Sequence, residues 1–231
     1  MPTVPAQGPR SVTHSDLDLE ACNQAMSRIC GPYRLVHERW REFRGRVESL
    51  SVGTLQVADL SFSGGRVIRD QPHRREAGND CYFLVLQVSG WARMHQSGTE
   101  ALLQRGDCTL IDSRLPSVFE LGPDSRQYSF HLPAELFRRR FGDRMLPVAR
   151  TICGQRGPSG VLSDTLVPLV RHASDLRGTE ITELALHLLS TALGNSVLPS
   201  KQEPELQPIV AEQVVGYIDE RLELHQLTPA S

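Results

Sequence analysis

The middle of the chain is written in short runs of alternating character. Between Thr54 and Phe62, apolar side chains return at Leu55, Val57, Leu60 and Phe62, with Ala58 among them, and this predicts a strand. Cys81 to Val88 (CYFLVLQV) is almost continuously apolar and closes on Ser89-Gly90, predicting another. Trp91–Gln96 and Thr99–Gln104 flank Ser97-Gly98, the signature of a tight hairpin. Gly106-Asp107 turns into Cys108–Asp112, Pro116 interrupts, and Ser117–Leu121 and Arg126–Leu132 follow. Short strands spaced roughly ten residues apart predict an antiparallel sandwich or barrel.

On either side the period changes to that of a helix. A short helix is expected from Asp16 to about Ile29, with Ser15 as its cap. After Pro133 the chain reads as helical again, first over Pro133–Phe141. From Val161 to Leu176 it places Leu162, Leu166, Leu169, Val170 and Ala173 on one face. Pro168 must then occupy a first turn or kink that helix. Thr179–Leu193 is more regular, with Ile181, Leu184, Ala185, Leu188, Leu189, Ala192 and Leu193 on one stripe. Leu198–Gln207 is polar, holds two prolines and reads as a linker. Beyond it Val210, Val214, Ile218 and Leu222 recur every four residues, and Pro208 suits the first turn of that helix. The fold class is α+β: an antiparallel barrel, then helices.

Charge narrows the function classes. With 25 basic and 27 acidic side chains the net charge is −2, which argues against nucleic-acid binding by this chain alone. The run Arg34, Arg39, Arg41, Arg44 and Arg46 is interleaved with Glu38, Glu42 and Glu48 and reads as a solvated face. Cys22, Cys30, Cys81, Cys108 and Cys153 are odd in number and form no CxxC pair, which fits reduced thiols in a cytoplasmic protein. No apolar run approaches the ~20 residues that span a bilayer, so no membrane partner is expected. Residues 1–15, rich in Pro and Gly, read as a disordered arm without the apolar core of a signal peptide.

A small antiparallel barrel followed by helices invites comparison with cupins, which hold a metal through clustered histidines and a carboxylate. Here the candidates are His73, His95 and His131, with Glu76, and no His-x-His pair occurs. No metal or other cofactor is expected. There is no G-x-S-x-G elbow and no Gly-rich phosphate loop, and Gly64-Gly65 reads as a turn. Cys81 and Cys108 fall inside strands as small apolar residues. A non-enzyme is expected, with a cupin-like metal-dependent enzyme and a ligand-free interaction module as the alternatives.

What such a barrel offers is a cavity for one small ligand. Trp40, Arg69, Tyr82, Trp91, His95, Arg114, Tyr128 and His131 are the aromatic or polar-tipped residues of this region. All but Trp40 are candidate effector contacts. Arg69 and Arg114 lead, since each lies at a strand boundary and could meet an anionic group. The face each occupies stays open, because a one-residue slip in register reverses a strand.

Taken together, Arg69 to Phe141 resembles the effector-binding domain of one branch of AraC-type bacterial transcription regulators. The pattern is a strand ending in arginine (Arg69), Asp80 and Tyr82 running through Gln87 to Gly90, then Gly106, Asp107, Leu110, Asp112 and Pro116. Leu132-Pro133 opening a helix also fits. The final helix, a polar break and L-T-P-A-S resemble the opening of the AraC-type helix-turn-helix domain. The resemblance implies a cupin-like effector-binding barrel over 16–142 and a helical dimerisation region over 143–197. It implies a linker over 198–207 and the start of a truncated DNA-binding domain over 208–231. Ile181, Leu184, Leu188, Leu189 and Ala192 would form the homodimer contact. This branch resembles regulators for catabolism of aromatic amines and phenols. A small aromatic effector is therefore implied, with transcription activation through promoter DNA bound only by the domain missing from this chain.

Overall fold

The computed structural model describes residues 17–52, 55–70, 80–135, 148–155 and 157–173, with residues 139 and 187 besides. The chain divides between Val197 and Leu198, and every described residue belongs to the first part. The elements are α1 (Leu19–Cys30), β1 (Arg34–Val36), β2 (Gly45–Val52), β3 (Leu55–Phe62), β4 (Gly65–Arg69) and β5 (Cys81–Ser89). They continue with β6 (Ala92–Gln96), β7 (Thr99–Leu103), β8 (Cys108–Asp112), β9 (Ser117–Leu121), β10 (Ser125–Pro133) and α2 (Gly157–Arg171). Two antiparallel five-stranded sheets result, one ordered β2-β3-β10-β5-β8 and the other β1-β4-β9-β6-β7.

The sheets pack face to face over an apolar interior. Val47, Leu60, Phe62, Phe83 and Val85 from the first sheet meet Val67, Met94, Leu103, Phe119 and Leu121 from the second, and Cys22, Ala25 and Met26 of α1 join them. The second sheet is wet outside: Arg93 there pairs with Glu120 at 3.3 Å. The first sheet is buried on both faces. Its outer residues Leu84, Leu86, Leu110, Tyr128 and Phe130 lie in one cluster with Leu162, Leu166 and Val170 of α2. Burial on both faces is why β5 is a continuous apolar run, whereas a strand with one wet face alternates.

Local chemistry sets the element ends. Asp18, not Ser15, caps α1, its carboxylate accepting from Ala21 N at 2.9 Å; Ser15 lies outside the described residues. The β6–β7 hairpin turns through Ser97 and Gly98, both at positive φ (52° and 76°), the backbone a two-residue hairpin loop requires. Pro133 is the last residue of β10, and the helix expected from it opens one residue later, at Ala134 and Glu135. α2 starts four residues before the expected Val161, so Pro168 falls neither in its first turn nor outside it. It is tolerated close to the C-terminal end because it is exposed, and the carbonyl it leaves without a donor belongs to exposed Asp164, where water can bond it. Of the expected helix Thr179–Leu193 only His187 is among the described residues, and it is helical and exposed.

Two strands were not legible as strands, β1 and β2. β2 carries Arg46 and Glu48, read above as a solvated face. Arg34, Arg39, Arg41 and Arg44 are indeed exposed, but Glu48 is buried and takes a 2.6 Å ion pair from Arg46. Glu48 stands opposite Asp59 of β3, which is itself clamped by Arg126 of β10 at 2.7 and 3.0 Å. A cross-strand pair of acids is held only because each has its own guanidinium.

The segment 148–155 ties the two sheets together along one edge. Ile152 exchanges both backbone hydrogen bonds with Cys108 of β8, and Thr109 Oγ1 donates to Arg150 O. Across the gap, Thr99 Oγ1 of β7 donates to Val148 O, and Thr151 Oγ1 donates to Leu102 O. Two strand edges that would otherwise expose unpaired backbone are thereby covered. Gly154 N is held by Asp107 Oδ1 at 3.0 Å, and a β-carbon at Gly154 would overlap the Gly106 carbonyl. Gly154→Ala should therefore cost about 1–3 kcal/mol in urea unfolding. An unchanged midpoint would show that the segment can shift away from the β7–β8 turn.

Candidate functional site

The two sheets and α1 enclose a void of about 30 Å³. Met26 and Cys30 come from α1, Tyr33 from the turn that follows it, and Phe62, Phe83, Val85 and Phe119 from the sheets. The rings interlock: Tyr33 lies 6.1 Å from Phe83 and 5.7 Å from Phe119, centroid to centroid. Gln127 and Ser129 are the polar residues of the lining contributed by β10. They face inward because β10 alternates, placing Gln127 opposite Leu60 and Ser129 opposite Ala58.

Gln127 ends a chain of buried amides. Gln87 Nε2 donates to Ser89 O at 2.7 Å and to Ser125 Oγ at 3.0 Å. Gln87 Oε1 accepts from Gln127 Nε2 at 2.7 Å. A second amide clip sits in β6, where Gln96 donates to Asp112 O at 2.9 Å and accepts from Asp112 N at 2.8 Å. These amides satisfy one another inside an apolar interior, as buried polar groups must.

Arg69 projects from β4 into the same interior and is 1% exposed. One guanidinium nitrogen donates to Ser113 O, another to Cys30 O at 3.3 Å, and the group stacks on the Tyr33 ring at 4.2 Å. Burial pushes the Tyr33 hydroxyl up to about 12, against the opposing pull of Arg69 and of Ser117 beside it. Ser117 is near enough to act on that phenol, yet the two hydroxyls do not meet in hydrogen-bond geometry.

The remaining candidates scatter. His131 shares the inner face, its Nε2 3.9 Å from Cys30 Sγ and its ring 4.7 Å from Phe83. Tyr82 and Tyr128 point to the outer face of the first sheet. Arg114 is half-exposed and closes bidentately on Asp112 at 2.8 and 2.6 Å, with Tyr82 Oη at 3.1 Å. That hydrogen bond to Asp112 raises the Arg114 pKa further, against a smaller cost of burial. Trp91 is exposed and lies against Gly122. His95, on the wet face of β6, pairs with Glu100 at 3.1 Å. So His95 and His131 leave different sheets in different directions and do not converge; His73 and Glu76 lie outside the described residues. None of the seven expected contacts is among the residues lining the void, and Tyr33, Phe83, Phe119, Gln127 and Ser129, which do line it, were not among the candidates. A glutamine inside an apolar run, as Gln87 is, signals a buried amide that needs a partner.

Two packed antiparallel sheets with an enclosed interior and a helix across the outer face make a cupin-like domain. The crystal structure of the AraC-like transcriptional activator CuxR has this fold, with a TM-score of 0.67 at 13% identity, covering 95% of this chain and 81% of that one. The chain belongs to the AraC-binding-like domain family, whose model matches residues 22–198. An uncharacterized protein in the nit 5'region of Bacillus sp. (strain OxB-1) is 29% identical over 155 residues, 65% of this chain and 60% of its own length. The transcriptional activator NphR of Rhodococcus sp is 24% identical over 151 residues, 63% of this chain and 45% of its own length. The chain thus matches three fifths or less of the length of these relatives.

Proposed function

We propose that this chain is the effector-sensing part of a cytoplasmic transcription regulator, that it responds to a small aromatic molecule, and that it is not an enzyme. The observation that carries this reading is the ring-lined void between the sheets, with Gln127 and Ser129 on its wall. Similarity to a transcriptional activator supports the regulatory role. Homodimerisation is assigned to the stripe Ile181, Leu184, Leu188, Leu189 and Ala192. Promoter contact is assigned to a helix-turn-helix domain whose opening residues 208–231 resemble.

The void as it stands has room for water, not for a ring; a cavity that binds benzene measures about 150 Å³. Effector binding is therefore coupled to expansion of the lining. α1 is the element to yield, because it supplies Met26 and Cys30 and, among the described residues, packs mainly against β1 and β2. Its displacement would carry the effector's presence to whatever α1 touches. Arg69 bonds the carbonyl of Cys30, the last residue of α1, and would register the same movement.

A thermal-shift screen with aromatic acids, phenols, amides and amines tests the proposal. A binder at 100 times its Kd should add about 2.7 kcal/mol of stability and change hydrogen exchange along α1. Stabilisation by no compound in the panel would favour a barrel filled by its own side chains.

A further inference from the structure

Resting on the sensor reading, we propose that the cavity selects an uncharged aromatic molecule that donates a hydrogen bond, and that Gln127 Oε1 receives it. The orientation of two buried amides is set by their partners. Ser89 O can only accept, so the Gln87 atom 2.7 Å from it is the amide nitrogen. That nitrogen spends its other hydrogen on Ser125 Oγ. Gln87 therefore turns its oxygen towards Gln127, and Gln127 must answer with its own nitrogen. The Gln127 carbonyl is left over. Among the described residues no donor reaches it, and Gln127 stands in the wall of the void. Backbone pairing supports this arrangement, since Gln127 of β10 sits directly opposite Gln87 of β5. An acceptor held in place by a relay of buried amides, in an apolar wall, favours a ligand that brings a donor.

Charge decides the rest. No Asp, Glu, His, Lys or Arg is among the described residues lining the void. The ionisable groups nearby are engaged: Arg69 with two carbonyls and the Tyr33 face, His131 with Cys30 Sγ and the Phe83 ring, Arg114 with Asp112, Arg126 with Asp59 on the outer face. A carboxylate entering this space would lose its hydration and gain no counter-ion. Arg69, expected from sequence to meet an anionic effector, instead braces Tyr33 and the end of α1.

Calorimetry on the whole chain at pH 7.5 with phenol, benzamide, toluene and benzoate, probes of similar size, tests this. Phenol and benzamide should bind about tenfold more tightly than toluene, the worth of one buried hydrogen bond, and benzoate should bind no better than toluene. Gln127→Met, checked for folding by circular dichroism, should erase the preference for phenol over toluene while leaving toluene binding in place. Benzoate as the tightest probe, or toluene equal to phenol in the unaltered chain, would overturn the proposal and leave the sensor reading standing. Binding of none of the four would sink both. The unaltered-chain comparison decides the matter even if the variant does not fold.

Discussion

Phe130→Ala should lower the unfolding free energy by about 3–5 kcal/mol, the range for deleting a fully buried ring. Phe130 is 1% exposed and stands between Val57 and Leu84 in register, on the sheet face that α2 covers through Leu162 and Leu166. Its removal leaves a hole between sheet and helix that neither can close, since β10 is pinned on both sides by paired strands. The void between the sheets lies behind the opposite face of β10, so ligand affinity should change little. Trp40→Ala is the contrast: Trp40 is 59% exposed, and the loss there should stay within about 0.5 kcal/mol. Urea unfolding of both variants checks this, and a loss under about 1 kcal/mol at Phe130 would mean that α2 does not rest on this face.

Alkali should unfold the protein from inside. Burial, helped by the charge of Asp107, raises the Cys108 thiol from 9.0 to about 12, and burial raises the Tyr33 phenol from 10.0 to about 12. Both groups hold their proton more tightly when folded. Their contribution is therefore complete below the unfolded values and is lost as pH climbs through 9 for Cys108 and 10 for Tyr33, until about 12. The shifts represent about 4 kcal/mol for Cys108 and about 3 kcal/mol for Tyr33, a large share of the stability of a domain this size. The urea midpoint should be nearly level with respect to these groups up to about pH 9 and fall steeply above it. Cys108→Ala should flatten part of that fall. Exposed Cys153 should meanwhile react with thiol reagents in the folded protein while Cys108 does not. A midpoint indifferent to pH between 9 and 11 would contradict the burial of both groups.

The cupin-like, AraC-type character of the chain was legible because it rests on local signals. Strands β5 to β9 stand close to where alternation, Ser97-Gly98 and Pro116 put them, since turn chemistry and a period of two are properties of consecutive residues. α1 and α2 were visible for the same reason, through apolar residues at helical spacing. β1 and β2 were not. Their partners are distant, and Arg46 and Glu48 look solvated until Asp59 and Arg126 arrive from β3 and β10.

The site lay beyond the sequence's reach by one residue. Tyr128 and Gln127 are neighbours, and the aromatic one drew attention, yet the pleat sends Tyr128 to the α2 face and Gln127 into the void. Tyr82 and Phe83 divide in the same way. Arg69 could be placed at the end of a strand, but not assigned to the carbonyls of Ser113 and Cys30, which lie 44 and 39 residues away in the chain. By itself the sequence determined that this chain makes short antiparallel strands with helices on either side, because hydrophobic period and turn residues act locally. Only the tertiary structure decided which face is the inside and which polar groups remain for a ligand, because both depend on the register between strands that meet only after folding.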